Sequence, residues 1–409
     1  MKMMKLETES FADYQEEMDS YKESVAECHK SLHDAAFPMT GWVGLPLHFD
    51  EAQRKELISA GETIRRKYSA LVVVGIGGSY LGTRACYDIL RREDAGIKLF
   101  FAGWNLSGSY HARLLKELDQ YNTAVCVVSK SGTTMETTLA FDLLRSYLQE
   151  RYGEEYKDRV YVVTDATGGT LRREADEKGY HSFALDPDIG GRYSVLTAVG
   201  LLPLAAAGID IDAVLAGAKQ AYEDFLSPDP DRNDCYRYAV FRNVMFDKGK
   251  SIEFFSFPQP EMTCFGLWLR QLFAESEGKN GKGLYPAVLN YSTDLHSVGQ
   301  FLEEGHPVFF ETMLIPGTYG RDFAVKGHEK TYNEYISAAS EAVYRVRNAK
   351  KTPVIRLTLA SLNAETVGYM IYFFEKACAM NCLLMGVNPF DQPGVEAYKK
   401  EMRALLGIE

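Results

Sequence analysis

A length of 409 residues exceeds what one ordinary hydrophobic core organises, so we expect two domains. Hydrophobic residues make up 46% of the chain and charged residues 25%, which is typical of a globular protein, and no uninterrupted apolar run is long enough to span a membrane. The formal net charge of −11 argues against binding to nucleic acid or to an anionic membrane, since both need a basic face.

The N-terminal sequence and the cysteines both predict a cytoplasmic protein. Residues 1–21 carry charges throughout and lack the apolar core of a signal peptide. The chain has 7 cysteines without a CxxC pair, and an odd number argues against a disulfide framework. We therefore expect reduced thiols.

The first half of the chain begins with a charged segment and continues with alternating strands and helices. The helical pattern near the N-terminus predicts a helical segment over residues 1–50, which we expect to pack on the second domain. A first domain is predicted over 51–207, because buried-strand patterns alternate there with helical patterns, as in a parallel, doubly wound sheet. Its predicted strands lie at 69–76, 98–102, 124–128, 160–164 and 182–185.

A second alternation follows the linker-like residues 226–234 and predicts a second domain over 208–409. A helix is expected at 266–276. The predicted strands lie at 251–257, near 287, at 307–315, at 352–360 and at 382–388. The predicted fold class is therefore α/β, with two tandem doubly wound domains whose parallel sheets are flanked by helices.

Residues 124–138 predict a strand, a loop and a helix. The loop Ser129–Thr134 contains four hydroxyl groups, a lysine and a glycine. Unpaired N–H groups at the start of a helix carry the positive end of its dipole, and hydroxyls add further donors, so this loop suits a phosphate monoester. An ordinary helix cap is the alternative, and the loop in isolation does not exclude it.

The stretch GIGGSYLG at 75–82 also follows a buried strand. A dinucleotide-binding loop needs glycine at the sixth position, where Tyr80 stands, and an acidic residue at the end of the next strand, which reads FFAGWN instead. We therefore do not expect a nicotinamide cofactor. The loop still allows backbone amides and the Ser79 hydroxyl to approach a ligand. Its position in the same sheet as Ser129–Thr134 predicts one shared ligand site.

Four residues further along the chain are candidates for acid–base or electrostatic chemistry. Glu275 follows an aromatic and aliphatic run that would place a general base at a dry edge, although a solvated charge is the ordinary alternative. Arg192 lies in the turn DIGGRYS, where a salt bridge to Asp188 is the ordinary explanation. His296 opens a predicted helix, and Lys399 follows a Pro–Gly turn before the last helix; either has a bland structural explanation on its own.

Five motifs in this order resemble the phosphoglucose isomerase family, bacterial type. They are GIGGSYLG, SKSGTTMET, DIGGRYS, QLFAESEGK with DLHSVGQ, and NPFDQPGVEAYK. The resemblance extends from about Leu71 to the C-terminus. It implies two sugar-isomerase (SIS-type) domains and the interconversion of glucose 6-phosphate and fructose 6-phosphate through ring opening and a cis-enediol, in glycolysis and gluconeogenesis, without a metal or other cofactor.

The resemblance also implies roles for individual residues. Glu275 matches the base, Arg192 the cation beside the enediolate, and His296 and Lys399 the groups that open the sugar ring. The positions that match substrate-binding residues are Gly78, Ser79, Ser129, Lys130, Ser131, Thr133, Thr134, Gln271 and Gln392. In the family the histidine reaches the site from a partner subunit, so a homodimer is implied.

Some positions depart from the family pattern. Pro187 stands where an acidic or amide residue is usual, the chain is shorter than usual between about Glu311 and Pro353, and Glu277 places a second carboxylate near Glu275. An isomerase for another sugar phosphate, such as mannose 6-phosphate, is the alternative within enzymes. A non-catalytic sugar-phosphate-binding regulator is the alternative outside them, but it would need no base and would normally carry a DNA-binding or effector module.

Overall fold

The computed structural model describes residues 2–7, 9–92 and 96–407. The strands are β1 (Met4–Glu7), β2 (Ala70–Val74), β3 (Lys98–Ala102), β4 (Thr123–Val128), β5 (Val160–Asp165), β6 (His181–Leu185), β7 (Ile252–Phe257), β8 (Tyr285–Asn290), β9 (Phe309–Pro316) and β10 (Val354–Leu359). The helices before β7 are α1 (Gln15–Asp19), α2 (Lys22–His33), α3 (Leu45–His48), α4 (Glu51–Lys67), α5 (Leu81–Leu90), α6 (Gly108–Leu118), α7 (Met135–Tyr152), α8 (Thr170–Lys178), α9 (Ala198–Ala206), α10 (Ile211–Asp224) and α11 (Asp234–Asp247). The helices after β7 are α12 (Thr263–Glu277), α13 (Thr293–Ser297), α14 (Gly299–Glu304), α15 (Tyr332–Ala349), α16 (Ala364–Leu384) and α17 (Glu396–Leu406).

The first half of the chain forms a parallel sheet of five strands in the order β3-β2-β4-β5-β6. Its central strands β2 and β4 are fully buried and, apart from Thr123, apolar, as is typical of strands buried on both faces. The chain first builds outward from β2 to β3 and then continues on the other side with β4. The carboxyl ends of β2 and β4 therefore border the topological switch point, where open α/β sheets bind ligands.

The second half repeats this arrangement. Strands β8-β7-β9-β10 are parallel and have the same connectivity as β3-β2-β4-β5, with the switch point between β7 and β9. The N-terminal strand β1 completes the sheet by pairing antiparallel with β10. The helical prediction for residues 1–50 was wrong at this strand, because its pairing with residues 356–359 is a tertiary contact that a local pattern does not reveal.

The largest apolar core lies between the two sheets. It contains residues of α5, α9, α10, α12 and α16, while smaller clusters cover the outer face of each sheet. Helix α16 is buried along most of its length. The strand predicted at 382–388 was wrong, because Cys382–Leu384 are the last residues of α16; a short apolar run does not distinguish a strand from the end of a buried helix. The predicted fold class is confirmed, with helices on both faces of two parallel sheets.

Candidate active site

A cavity of about 730 Å³ opens at the switch point of the first sheet. The loop after β2 and the loop after β4 form one side of it, and the turn before α9 forms its base. Helix α12 and the C-terminal segment around α17 close the other side. Residues from both halves of the chain therefore meet in one pocket.

The loop Ser129–Thr134 is fixed by close packing around a glycine. Gly132 has φ +74°, and a Cβ there would lie 2.4 Å from the amide nitrogen of Leu171. Thr170 donates its amide N–H to the Ser131 carbonyl at 3.0 Å. Since no other residue fits this backbone and this space without displacing α8, the glycine sets the shape of the loop.

Helix α7 begins immediately after this loop and points its first N–H groups toward the cavity. Its N-cap residue is Thr134, whose side chain makes no capping hydrogen bond. The Ser131 and Thr133 hydroxyls bond to each other at 2.8 Å, and Ser131 Oγ accepts the Thr133 N–H at 3.1 Å. The side chain of Thr134 therefore does not cap α7 in the ordinary way, and the first residues of this helix line the cavity.

The side chains of two residues of this loop form hydrogen bonds within the protein. Ser129 is buried and its Oγ accepts the Gly132 N–H at 3.1 Å, so it stiffens the loop from behind and is not part of the cavity wall. Lys130 lines the cavity, but its Nζ donates to the carbonyl of Pro187 at 2.9 Å. This contact links the loop Ser129–Thr134 to the turn that carries Arg192.

The glycine-rich loop 75–82 packs directly against both of its neighbours in the site. Gly77 has φ +57°, and a Cβ there would lie 2.8 Å from Nε2 of Gln271. A Cβ on Gly78 would lie 2.2 Å from the carbonyl carbon of Gly191. The loop is thus required to be small so that α12 and the Arg192 turn approach it, and Ser79 lines the cavity beside it.

Arg192 is buried and its guanidinium is held by four acceptors. Nε donates to Ser276 Oγ at 2.7 Å, and one terminal nitrogen donates to Gln392 Oε1 at 3.0 Å. The other terminal nitrogen donates to the carbonyls of Pro389 and Asp391, at 2.6 and 3.2 Å. These four hydrogen bonds fix the orientation of the guanidinium where it lines the cavity.

Glu275 lies next to this guanidinium. Its carboxylate lies 3.7 Å from the Arg192 guanidinium and accepts a hydrogen bond from Gln271 Nε2 at 3.0 Å. Asp188, the partner expected for Arg192 on ordinary grounds, instead accepts the N–H of Met39 at 2.5 Å and, through its carbonyl, the N–H of Gly41 at 3.1 Å. The ordinary alternative for Arg192, a salt bridge to Asp188, is therefore not the arrangement that forms.

Glu277 does not join Glu275 in the cavity. Successive helical residues are rotated by about 100°, so a residue two positions on points to the opposite side of α12. Glu277 is fully buried and pairs with Arg242, while its other oxygen accepts the Leu284 N–H at 3.2 Å. Burial raises the pKa of Glu277, and the guanidinium of Arg242 opposes that rise. The expectation of a second carboxylate beside the base was wrong.

Lys399 and Gln392 enter the cavity from the C-terminal segment. Lys399 lies in the first turn of α17 and pairs with Glu396 at 2.9 Å while remaining partly exposed. Gln392 lines the cavity and holds Arg192. His296, in α13, is exposed and is not part of the cavity wall of its own chain.

Several residues that line or shape the cavity were not identified from the sequence. Met39, from the N-terminal segment, lines it, and its φ of +67° belongs to a loop held by Asp188. Ser276 holds Arg192, and its position next to Glu275 in QLFAESEGK was the available signal. Glu136, in the first turn of α7, also lines the cavity.

Within residues 2–7, 9–92 and 96–407, no cluster of three His, Cys, Asp or Glu side chains is arranged to hold a metal ion. No helix there is both long and apolar enough to cross a membrane.

Comparisons with known proteins agree with the motifs. A family model described as phosphoglucose isomerase matches residues 54–319. The chain is 44% identical over 415 residues to glucose-6-phosphate isomerase of Symbiobacterium thermophilum, covering 96% of this chain and 92% of that protein. It is 41% identical over 412 residues to glucose-6-phosphate isomerase of Clostridium perfringens, covering 94% of this chain and 91% of that protein.

Solved structures share the fold. A hypothetical protein of Thermus thermophilus superposes with a TM-score of 0.90 at 28% identity, over 99% of this chain and 100% of that chain. A glucose-6-phosphate isomerase of Chlamydia trachomatis superposes with a TM-score of 0.77 at 24% identity, over 87% of this chain and 73% of that chain.

Proposed function

The chain belongs to the phosphoglucose isomerase family, and from this premise we propose how its pocket interconverts glucose 6-phosphate and fructose 6-phosphate. The observation that carries the proposal is the meeting of an uncapped helix N-terminus, a fixed guanidinium and a carboxylate in one cavity of about 730 Å³. The first suits a phosphate, and the other two suit the carbons of the sugar that react.

The phosphate is held by the loop at the start of α7. The hydroxyls of Ser131, Thr133 and Thr134 and the first N–H groups of the helix donate to its oxygens, with Ser79 adding a donor from the neighbouring loop. Ser129, buried behind the loop, contributes by holding Gly132. This phosphate does not react; it fixes the sugar so that C1 and C2 lie beside Glu275.

Glu275 carries the proton between the two carbons. In the open-chain aldose it removes the proton on C2, giving a cis-enediol, and returns it to C1, while a second proton moves from the C2 hydroxyl to the C1 oxygen. Gln271 orients the carboxylate through its hydrogen bond of 3.0 Å. Arg192 stabilises the negative charge that develops on the enediolate oxygens, because its orientation is fixed before the charge appears.

Ring opening precedes proton transfer and needs an acid and a base at the ring oxygen and the anomeric hydroxyl. Lys399 is one such group and lies at the cavity. We assign the other to His296 of a second subunit, since His296 is exposed and lies outside the cavity wall of its own chain. The working enzyme is then a homodimer that contributes to each site from both chains, and its glycolytic role is consistent with a cytoplasmic location.

The reaction is tested by supplying fructose 6-phosphate and measuring the glucose 6-phosphate formed with a coupled dehydrogenase. Turnover on fructose 6-phosphate is expected, with mannose 6-phosphate tested in parallel to define the sugar. Complete inactivity of folded protein on fructose 6-phosphate would exclude the proposed reaction, and a preference for another sugar phosphate would change the substrate assignment.

The shared site is tested by mixing two inactive variants, Glu275→Gln and His296→Ala, under conditions that exchange subunits. A mixed dimer has one site that lacks both groups and one that is intact, so activity should return on mixing. Arg113→Ala mixed with Glu275→Gln is the matched control for dilution and exchange. Activity that stays absent in exchanged His296→Ala and Glu275→Gln dimers would contradict the contribution across subunits.

A further inference from the structure

The segment 388–392 supplies most of the acceptors that hold the guanidinium of Arg192. Three of its four acceptors come from here: the Gln392 side chain and the carbonyls of Pro389 and Asp391. The segment lies between α16 and α17, outside the helices and strands of the fold. Its shape, and with it the position of these acceptors, therefore depends on the contacts that its side chains and carbonyls make with the rest of the protein.

Lys279 makes two of these contacts. It is the second residue after α12, and its side chain is only 10% exposed. Its ammonium group donates to the carbonyl of Asn388 and pairs with the carboxylate of Asp391 at 2.7 Å. The lysine therefore holds the segment on both sides of Pro389, whose carbonyl accepts a hydrogen bond from Arg192.

Phe390 holds the same segment on its apolar side. It is buried, and its ring centroid lies 5.5 Å from that of Tyr193 and 6.4 Å from that of Trp42. Apolar burial is non-directional, so it keeps the segment against the core without deciding which way the carbonyls point. The hydrogen bonds of Lys279 are directional, and they therefore set the orientation of the backbone around this ring.

Lys279 lies outside the described wall of the cavity, so it does not contact the sugar itself. A cation lowers a reaction barrier most when its position is fixed before the charge develops. We propose that Lys279 is a positioning residue for the isomerisation, because it fixes the segment 388–392 and thereby the guanidinium of Arg192. The inference rests on the proposed function, in which Arg192 stabilises the enediolate.

Lys282 provides a matched control in the same stretch of chain. Its ammonium group donates to the carbonyl of Met385 at 2.6 Å, just after the end of α16. Met385 is not one of the four acceptors of Arg192. Lys282→Met thus removes the same charge and a similar contact to a carbonyl, but not one in the segment that holds Arg192.

The first test is steady-state kinetics on fructose 6-phosphate with a coupled dehydrogenase. Lys279→Met should lower kcat by about tenfold to a hundredfold and leave KM within about threefold of wild type, because the phosphate loop is untouched. Lys279→Arg restores the cation and its donors, and its kcat should return to within about threefold of wild type. Both parameters of Lys282→Met should stay within about twofold of wild type.

The second test compares two phosphate-bearing ligands. A five-carbon sugar-phosphate hydroxamate carries a planar anionic group like the enediolate, whereas glucitol 6-phosphate has the phosphate and hydroxyls but no such charge. Lys279→Met should weaken the hydroxamate by about the same factor as kcat and glucitol 6-phosphate by no more than about threefold. Calorimetric titration measures both affinities.

The position of Arg192 can also be measured without the reaction. The ¹H–¹⁵N signal of its Nε–H group, assigned by its loss in Arg192→Lys, should shift in Lys279→Met and stay unchanged in Lys282→Met. If wild type fails to isomerise fructose 6-phosphate but this shift occurs, the proposed reaction is refuted and the coupling of Lys279 to Arg192 is supported.

Four results would overturn the proposal. They are an unchanged Arg192 signal in Lys279→Met, a wild-type kcat in this variant, an equal loss of kcat in Lys282→Met, and equal weakening of the hydroxamate and glucitol 6-phosphate. Thermal unfolding of each variant, followed by circular dichroism, verifies that the kinetic comparison is made on folded protein.

Discussion

The two sheets have the same strand order but very different interiors. The central strands of the first sheet, β2 and β4, contain no charged residue. The corresponding strands of the second sheet, β7 and β9, each carry a fully buried glutamate, Glu253 and Glu311. Isolated buried carboxylates are costly, so each must be paired, and each is.

The buried carboxylates of the second sheet are neutralised by arginines from the helices that cover it. Arg242, from α11, bonds to Glu253 at 2.7 Å and also to Glu277 on α12. Arg347, from α15, bonds to Glu311 at 3.0 Å. The first of these networks is directly relevant to the site, because it fixes the turn of α12 that carries Glu275.

The difference shows how the two halves divide the work. In the proposed mechanism, the first half supplies the phosphate-binding loops at the carboxyl ends of an apolar sheet. The second half uses buried ion pairs to fix the rotation of α12, so that Glu275 faces the cavity while Glu277 faces the core. The proposed site therefore needs a carboxylate positioned by the second half and a binding loop shaped by the first.

The largest expected effect comes from breaking the buried network. Arg242→Met leaves Glu253 and Glu277 buried without their cation, so the free energy of unfolding should fall by about 3–5 kcal/mol. Urea denaturation followed by circular dichroism measures it. The control is Arg145→Met in the first half, which removes a partly exposed arginine paired with Asp142 and Glu174 and should cost no more than about 1 kcal/mol. Equal losses would refute the contrast between the halves.

A second effect concerns a lysine buried within the second half. Lys376 lies in α16, donates to the carbonyl of Phe225 at 2.7 Å, and burial lowers its pKa from 10.5 to about 8. Because this folded-state pKa lies below the unfolded one, the cost of the buried charge is fully present below pH 8 and disappears as the pH rises toward 10.5.

Through this one group, the free energy of unfolding should therefore rise as the pH rises. Between about pH 7 and 9.5, Lys376 should add about 1.5–2 kcal/mol to the free energy of unfolding. Lys376→Met should remove this increment, whereas Lys178→Met, at the exposed end of α8, should keep it. The measurement is urea denaturation of all three proteins at several pH values in this range. An identical pH dependence in wild type and Lys376→Met would show that the lysine is not responsible.

The smallest expected effect comes from a change in the loop Ser129–Thr134 of the first half. Thr134→Ala removes one hydroxyl beside the uncapped start of α7. It should weaken the binding of glucose 6-phosphate by about tenfold while leaving the affinity for free glucose nearly unchanged. Thr167→Ala, in a loop outside the cavity, is the matched control and should change neither. Competition binding with both sugars measures the two affinities. Equal weakening of the two sugars by Thr134→Ala would place the phosphate elsewhere.

Sequence patterns predicted the ladder of strands because parallel strands buried on both faces are continuous apolar runs. Residues 98–102 were predicted and observed as β3 with the same bounds. Strand β1 was missed because four residues, two of them charged, carry no pattern without their partner β10. The false strand at 382–388 arose because an apolar run of that length does not reveal its own backbone conformation.

The site was predictable in its loops and less so in its side-chain directions. Glycines and hydroxyls after β2 and β4 indicated an anion site, and the structure brings Ser131, Thr133 and Thr134 to the cavity. The residue type of Ser129 did not reveal that its side chain is buried behind the loop instead of lining the cavity. Helical geometry alone shows that Glu277 faces away from the cavity side of α12, toward the core. Met39 comes from a segment distant in sequence, and only the tertiary fold brings it to the pocket.

The central claim is that a carboxylate fixed by the second half acts on a sugar anchored by the first. The most direct measurement is exchange of the C2 proton of glucose 6-phosphate with deuterated water, catalysed by Glu275→Gln and by Glu136→Gln, which changes another carboxylate of the cavity wall. Glu275→Gln should still bind glucose 6-phosphate, but its exchange rate should fall by at least about a hundredfold, while Glu136→Gln stays near wild type. Wild-type exchange in Glu275→Gln would contradict the account.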